Sequence, residues 1–91
     1  MTSAEPRDAL EQEIRGLIAR AVGVDRAQID RLPADTPLFG PEVGLTSLAG
    51  MTLLALILER YGVDVALEDL NLDALESIAK LSAFVTHHRA D

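Results

Sequence analysis

The chain has 91 residues, of which 48% are hydrophobic and 25% charged, with a formal net charge of −7 and no cysteine. A domain this small buries about 60–65% of the surface of its unfolded chain, which disfavours an enzyme with an enclosed substrate cleft. The acidic balance argues against nucleic acids and anionic membranes as partners, and the lack of cysteine excludes disulfides and thiolate metal sites.

The first periodic segment spans residues 7–22. Its apolar face comprises Leu10, Ile14, Leu17, Ile18 and Ala21, and its polar face comprises Glu11, Gln12, Glu13, Arg15 and Arg20. This spacing predicts an amphipathic helix, and Gly23 is placed to end it.

A long connection follows over residues 24–46, and it contains three prolines and two glycines. Such a composition excludes one continuous helix, although a single helical turn near residues 25–29 is expected. Four apolar side chains indicate that the connection packs across the bundle: Ile29, Leu32, Leu38 and Phe39. Connections this long are uncommon and often functional.

The second main helix is predicted from Ser47 or Leu48 to about Tyr61, with Gly62 as its stop. Residues 43–58 include no charged residue. A helix that is apolar nearly all round is either buried or exposes an apolar patch. Because a 91-residue bundle can hardly surround one helix, we expect part of this helix to be a contact surface.

The remaining segments complete an all-α prediction. We expect a short extended segment over residues 63–66, a short helix over residues 67–72, and a last helix over residues 78–88 that Ser77 caps. The inward face of that helix comprises Ile78, Leu81, Phe84 and Val85. The sum is a bundle of three main helices plus one short helix, with a long first loop, in a single domain over residues 1–91 whose core is about residues 8–88.

Ser47 lies where the loop becomes a helix. The first N–H groups of a helix lack internal partners and the helix dipole adds positive charge there, so a phosphodiester on this serine would be tolerated. By base rate, however, a serine at a helix start is only an N-cap. The position alone therefore favours the N-cap interpretation, and only the surrounding pattern can shift it.

The order of these elements resembles the acyl carrier protein family from about residue 10 to residue 85. Residues 38–48, which read Leu-Phe-Gly-Pro-Glu-Val-Gly-Leu-Thr-Ser-Leu, are similar to the loop end and the Gly-x-Asp-Ser-Leu motif of that family. Four further segments fit its pattern: residues 59–61, 63–65, 67–70 and 77–81. The resemblance implies a four-helix bundle in which Ser47 receives phosphopantetheine from coenzyme A through a phosphopantetheinyl transferase. It also implies that the arm holds acyl groups as thioesters and that Leu48 helps to seat the helix or the arm.

The chain departs from the family pattern in two ways. Thr46 stands in place of the family's aspartate, so the helix can still be capped but a negative charge is missing. Ala49 and Thr52 stand where the family's helix carries acidic residues.

We therefore expect partners to contact an apolar helix face with Leu45, Met51 and Thr52 near its centre. Electrostatic steering would come from Glu68 and Asp69 in the short helix. That these two acids only form a solvated surface is an equally good interpretation.

The resulting hypothesis is a freestanding, monomeric, cytoplasmic acyl carrier of a specialised, polyketide-like pathway, which is not itself an enzyme. Its partners would be the transferase and acyl- or aminoacyl-loading and processing enzymes. No signal peptide pattern is visible in residues 1–7, and no run of ~20 apolar residues suits a membrane span. The uncharged helix keeps an aminoacyl or peptidyl carrier open, and Thr46 keeps open an unmodified helical adaptor that has lost the arm.

Two other kinds of site are disfavoured. Ser47 lacks the Gly-x-Ser-x-Gly context of a hydrolase, because Leu45 and Ala49 flank it. His87 and His88 are adjacent on a helix and point in different directions, so we expect no metal site.

Overall fold

The computed structural model describes residues 6–65 and 75–88. Within these ranges lie four helices: α1 (Pro6–Val22), α2 (Arg26–Asp30), α3 (Ser47–Tyr61) and α4 (Ile78–His88). The predicted all-α bundle with a long first connection is confirmed. The short helix predicted at residues 67–72 lies outside the described residues. No helix in the described part of the chain is long and apolar enough to span a membrane.

Helix α1 packs against each of the other three helices and forms the centre of the bundle. Leu10, Ile14 and Ile18 are buried at the spacing that the sequence predicts. Gly23 ends the helix as expected, because its φ of 87° lies in the left-handed region that glycine adopts without strain. Its N–H donates to the carbonyl of Ala19 at 2.8 Å.

The prediction that Arg15 lies on the solvent-exposed polar face of α1 is wrong. The sequence pattern assigns it to solvent, yet it is only 6% exposed. Its Nη1 donates to the carbonyl oxygens of Ile29 and Leu32, both at 2.8 Å. Its Nη2 donates to Glu11 Oε2 at 2.9 Å. The guanidinium thus fastens the end of α2 and the start of the following loop onto α1.

The connection between α2 and α3 packs across the bundle, but Phe39 does not take part. Leu38 is fully buried, whereas Phe39 is 56% exposed, contrary to the prediction. Both residues lie in a turn that the N–H of Gly40 closes onto the carbonyl of Pro37 at 3.2 Å. This turn directs Leu38 inward and leaves its neighbour in solvent.

The same connection is attached to the start of α4. The N–H of Leu38 donates to the carbonyl of Glu76 at 3.2 Å, and the N–H of Ala79 donates to the carbonyl of Ala34 at 2.8 Å. Ser77 caps α4 as predicted, since its Oγ accepts the N–H of Lys80 at 3.1 Å. The inward face of α4 is confirmed as well: Ile78, Leu81 and Val85 are buried, and Phe84 is partly buried.

Candidate functional site

Ser47 is the first residue of α3, and Thr46 is the residue that caps this helix. Thr46 is extended, with φ −105° and ψ 171°, and its Oγ1 accepts the N–H of Ala49 at 3.1 Å. Its carbonyl accepts the first helical bond, from Gly50 at 2.7 Å. The interpretation of Ser47 as a mere N-cap is therefore wrong. The Ser47 side chain is exposed, and its hydroxyl makes no hydrogen bond with any residue in the described ranges.

The backbone around Ser47 offers free donors. Ala49 and Gly50 direct their N–H groups to Thr46, whereas those of Ser47 and Leu48 bond to no other described residue. Such unpaired donors, together with the positive end of the helix dipole, favour a negatively charged group at this point.

The loop before the site contains a glycine in a conformation that favours this residue type. Gly44 has φ 73°, a conformation that other residues rarely adopt, and its N–H donates to the carbonyl of Gly40 at 2.8 Å. Open space surrounds Gly44 where a Cβ would stand, with no heavy atom within 4 Å. The approach to Ser47 along this loop is thus free of side-chain obstruction at Gly44.

Leu45 does not belong to the surface on which the sequence places it. It is 4% exposed and packs in the hydrophobic core, so its assignment to an exposed partner face is wrong. The cause is a contact that the sequence does not reveal: its N–H donates to the carbonyl of Leu38 at 3.1 Å, which draws this end of the loop inward. Leu45 therefore anchors the backbone just before α3 in the hydrophobic core.

The rest of α3 confirms that this helix exposes apolar side chains. Leu48 is 75% exposed, Met51 70% and Leu58 45%, while Leu53 and Ile57 are buried on the opposite side. The exposure of Leu48 excludes a role in seating the helix by packing. Thr52 is also exposed, and its Oγ1 donates back to the carbonyl of Leu48 at 3.3 Å. The predicted steering residues Glu68 and Asp69 lie outside the described residues.

A polar cluster ties α1 to the opposite end of α3. The Tyr61 hydroxyl donates to Glu13 Oε1 at 2.7 Å, and Arg60 Nη2 lies 3.4 Å from Glu13 Oε2. Burial, and next the hydrogen bond to Glu13, raise the pKa of Tyr61 to about 12. The sequence gives no sign of this pairing, because the two residues are 48 positions apart.

The two histidines lie at the end of α4, where His88 stacks on Phe84 with a ring separation of 4.2 Å. In residues 6–65 and 75–88, no group of three or more His, Cys, Asp or Glu side chains could hold an ion.

The chain matches the family described as "Phosphopantetheine attachment site" over residues 12–85. This match spans most of the 91 residues, so the chain belongs to this family of phosphopantetheine-dependent carrier proteins. No match was found among curated proteins or solved structures. Membership implies a covalently attached phosphopantetheine group. Carrier domains of this family are generally non-catalytic and interact with modifying and processing enzymes such as phosphopantetheinyl transferases.

The residues at the start of α3 fit such a group. The Ser47 hydroxyl is exposed and unengaged, and two unpaired N–H groups lie beside it. Residues 43–58 contain no carboxylate that would repel a phosphodiester. The chain thus offers a hydroxyl for attachment and a local field that favours the phosphate.

Proposed function

We propose that the protein is an acyl carrier whose phosphopantetheine arm is attached to Ser47. One observation supports the proposal most strongly. At the start of α3 it is Thr46 that caps the helix, and the hydroxyl of the adjacent Ser47 is exposed and has no partner among the described residues. When bound, the group supplies the thiol that holds an acyl cargo as a thioester, and the chain has no cysteine of its own.

The residues around Ser47 have separate tasks in this proposal. Thr46 fixes the first turn of α3, and the buried Leu45 anchors that turn to Leu38 and the core. Met51 and Thr52 form the surface beside the arm that partner enzymes contact. Glu68 and Asp69 remain proposed as steering charges. The partners are a phosphopantetheinyl transferase and the enzymes that load and process the cargo.

For the cargo we propose acyl groups of a specialised, polyketide-like pathway. The net charge of −7 and the long first loop support acyl rather than aminoacyl cargo. The test is loading of the arm-bearing protein by an acyltransferase and, in parallel, by an amino-acid-activating enzyme. Aminoacylation without acylation would support a peptidyl carrier instead.

Intact mass spectrometry tests attachment itself. The purified protein is incubated with coenzyme A and a broad-specificity phosphopantetheinyl transferase, beside a Ser47→Ala variant. We expect one phosphopantetheinyl increment on the wild-type protein and none on the variant. No increment, under conditions that modify a known carrier and also with the transferase of the native host, would support the unmodified adaptor. We also propose a single carrier domain over residues 1–91 located in the cytoplasm, where coenzyme A is available to the transferase.

A further inference from the structure

Phe39 exposes an aromatic ring on the loop that leads to Ser47. It is 56% exposed, whereas the other two aromatic residues of the chain, Tyr61 and Phe84, are partly buried against the core. Aromatic rings contribute most to stability when they are buried. The exposure of Phe39 therefore does not serve the packing of the bundle.

The backbone on both sides of Phe39 is held by hydrogen bonds. Leu38, the residue before it, is fully buried, and its carbonyl accepts the N–H of Leu45 at 3.1 Å. Gly40, the residue after it, accepts the N–H of Gly44 at 2.8 Å. Two bonds thus close the loop around the aromatic residue, and they fix its backbone relative to the start of α3.

The same hydrogen bonds bring Phe39 within reach of a group attached to Ser47. Because the carbonyl of Leu38 bonds to the N–H of Leu45, the Cα atoms of Phe39 and Leu45 are at most about 7 Å apart. Ser47 follows Leu45 by two residues, which adds at most about 8 Å. A phosphopantetheine arm has about 14 bonds from the serine oxygen to its thiol, and at about 1.2 Å per bond it spans about 17 Å when extended. The arm is therefore long enough to reach the ring.

The chain between Phe39 and Ser47 suits the uncharged middle of the arm. The start of α3 favours the charge of the phosphate, so this part is held at the serine. Beyond the phosphate the arm consists of methyl groups, a hydroxyl and amides, and an aromatic ring offers a flat apolar surface to methyl groups. Gly44 has no side chain, and no heavy atom lies within 4 Å of the position that its Cβ would take.

The apolar residues that follow Ser47 serve a different purpose in the function proposed above. Met51 and Thr52 are exposed on α3, where partner enzymes contact the protein. An arm lying on that face would have to leave before every partner binds. Phe39 belongs to the loop that precedes the serine, so an arm packed against its ring leaves this face of α3 uncovered.

We propose that Phe39 is a positioning residue for the phosphopantetheine arm, and that the uncharged middle of the arm packs against its ring while no partner enzyme is bound. This inference rests on the proposed attachment at Ser47 and deepens it. One ring covers a small apolar area, so the contact is weak. It orders the arm without preventing its release to a partner.

Nuclear magnetic resonance of the arm-bearing protein tests this contact. A phosphopantetheinyl transferase attaches the arm from coenzyme A that is ¹³C-labelled in its pantetheine methyl groups, and intact mass spectrometry establishes the increment first. Three variants are compared with the wild-type protein. Phe39→Leu retains an apolar side chain without a ring, Phe39→Ala removes the contact, and Leu58→Ala removes an exposed apolar side chain at the other end of α3 as the matched control.

We expect nuclear Overhauser contacts between the Phe39 ring and the labelled methyl groups. The ring current should also displace the methyl resonances from their positions in free pantetheine. Phe39→Leu should at least halve this displacement, and Phe39→Ala should in addition make the methyl groups more mobile in relaxation measurements. Leu58→Ala should leave both observables unchanged. Because Phe39 is exposed, its variants should keep the circular dichroism of the wild-type protein.

Two results would overturn the proposal: methyl resonances that are the same in the wild-type protein and in Phe39→Leu, or contacts of the arm with Leu48 or Met51 in place of Phe39. If Phe39→Ala left the arm unchanged but weakened binding of the transferase, Phe39 would be a partner contact and the proposal would be wrong. Failure of the proposed function has a different signature, because it shows as a missing mass increment on the wild-type protein before any spectrum is recorded.

Discussion

Thr46 Oγ1 accepts the N–H of Ala49 at 3.1 Å, and this hydrogen bond assigns the capping of α3 to the residue before the serine. A cap normally requires a side chain with a hydrogen-bond acceptor, and serine is among the best. Since the threonine meets this requirement, the Ser47 hydroxyl is left exposed for reaction. The neutral threonine thus preserves the local structure that an aspartate at this position would provide.

Thr46→Ala should lower the free energy of unfolding by about 1 kcal/mol, because the N–H of Ala49 loses its acceptor. Thr46→Asn retains an acceptor and should stay within about 0.5 kcal/mol of the wild-type protein. Urea denaturation followed by circular dichroism measures both. Equal stability of the alanine variant and the wild-type protein would show that the cap does not contribute to the free energy of unfolding.

Arg15→Met should lower the free energy of unfolding by about 2–3 kcal/mol. The change removes the only described donor of the Leu32 carbonyl and one of the two donors of the Ile29 carbonyl, which keeps the N–H of Leu32 at 3.1 Å, and it also removes the cation that pairs with Glu11. Arg20→Met is the matched control, because Arg20 is exposed on the same helix and should change stability by less than about 0.5 kcal/mol. If urea denaturation gave the same small loss in the free energy of unfolding for both variants, Arg15 would not hold the end of α2 and the following loop against α1.

Tyr61 should titrate with a pKa of about 12 in the folded protein, against about 10 when it is unfolded. It is the one tyrosine of the chain, and tryptophan is absent, so the ultraviolet absorbance of the tyrosinate reports it directly. Because its pKa is raised, the Tyr61 hydroxyl keeps its proton to a higher pH in the folded state than in the unfolded state. The contribution of Tyr61 to the stability of the folded state is therefore complete below pH 10 and is lost as the pH rises through about 12. Tyr61→Phe should lack this part of the pH dependence, and an ordinary pKa in the folded protein would contradict the prediction.

Ser82→Ala should stabilise the protein by about 1–2 kcal/mol. Ser82 is 3% exposed, and its Oγ has no hydrogen-bond partner in the part of the chain that the structure describes. Removing an unpaired buried hydroxyl eliminates its desolvation cost. Thr86→Ala, at an exposed position of the same helix, reports the helix-propensity gain alone, at most about 0.5 kcal/mol. A melting temperature that falls in Ser82→Ala would indicate a hydrogen bond or a packing role at this position.

The sequence predicts those features that depend on neighbours along the chain. The four-residue spacing of Leu10, Ile14 and Ile18 identifies the buried face of α1, and Gly23, Gly62 and Ser77 mark helix ends at the correct places. These signals are local, since capping and periodicity act within one or two turns.

The features that the sequence misplaces depend on contacts that reach beyond one helical turn, either between segments or across a loop. Arg15 is buried only because it contacts the carbonyls of Ile29 and Leu32, which lie 14 and 17 residues further along the chain. Leu45 enters the core through its bond to Leu38, while Phe39 turns outward from the same loop. At the site, the motif picks out Ser47 as the candidate and Thr46 as a residue able to cap the helix, and the structure confirms that Thr46 supplies this cap.

Fragmentation mass spectrometry of the transferase-treated protein tests the central claim most directly, because it assigns the phosphopantetheinyl group to one side chain. We predict the group on Ser47 in the wild-type protein and in Thr46→Asn, which lacks the neighbouring hydroxyl but keeps the cap, and no group in Ser47→Ala. A group on Thr46 or on any other side chain, or one that persists in Ser47→Ala, would contradict the account.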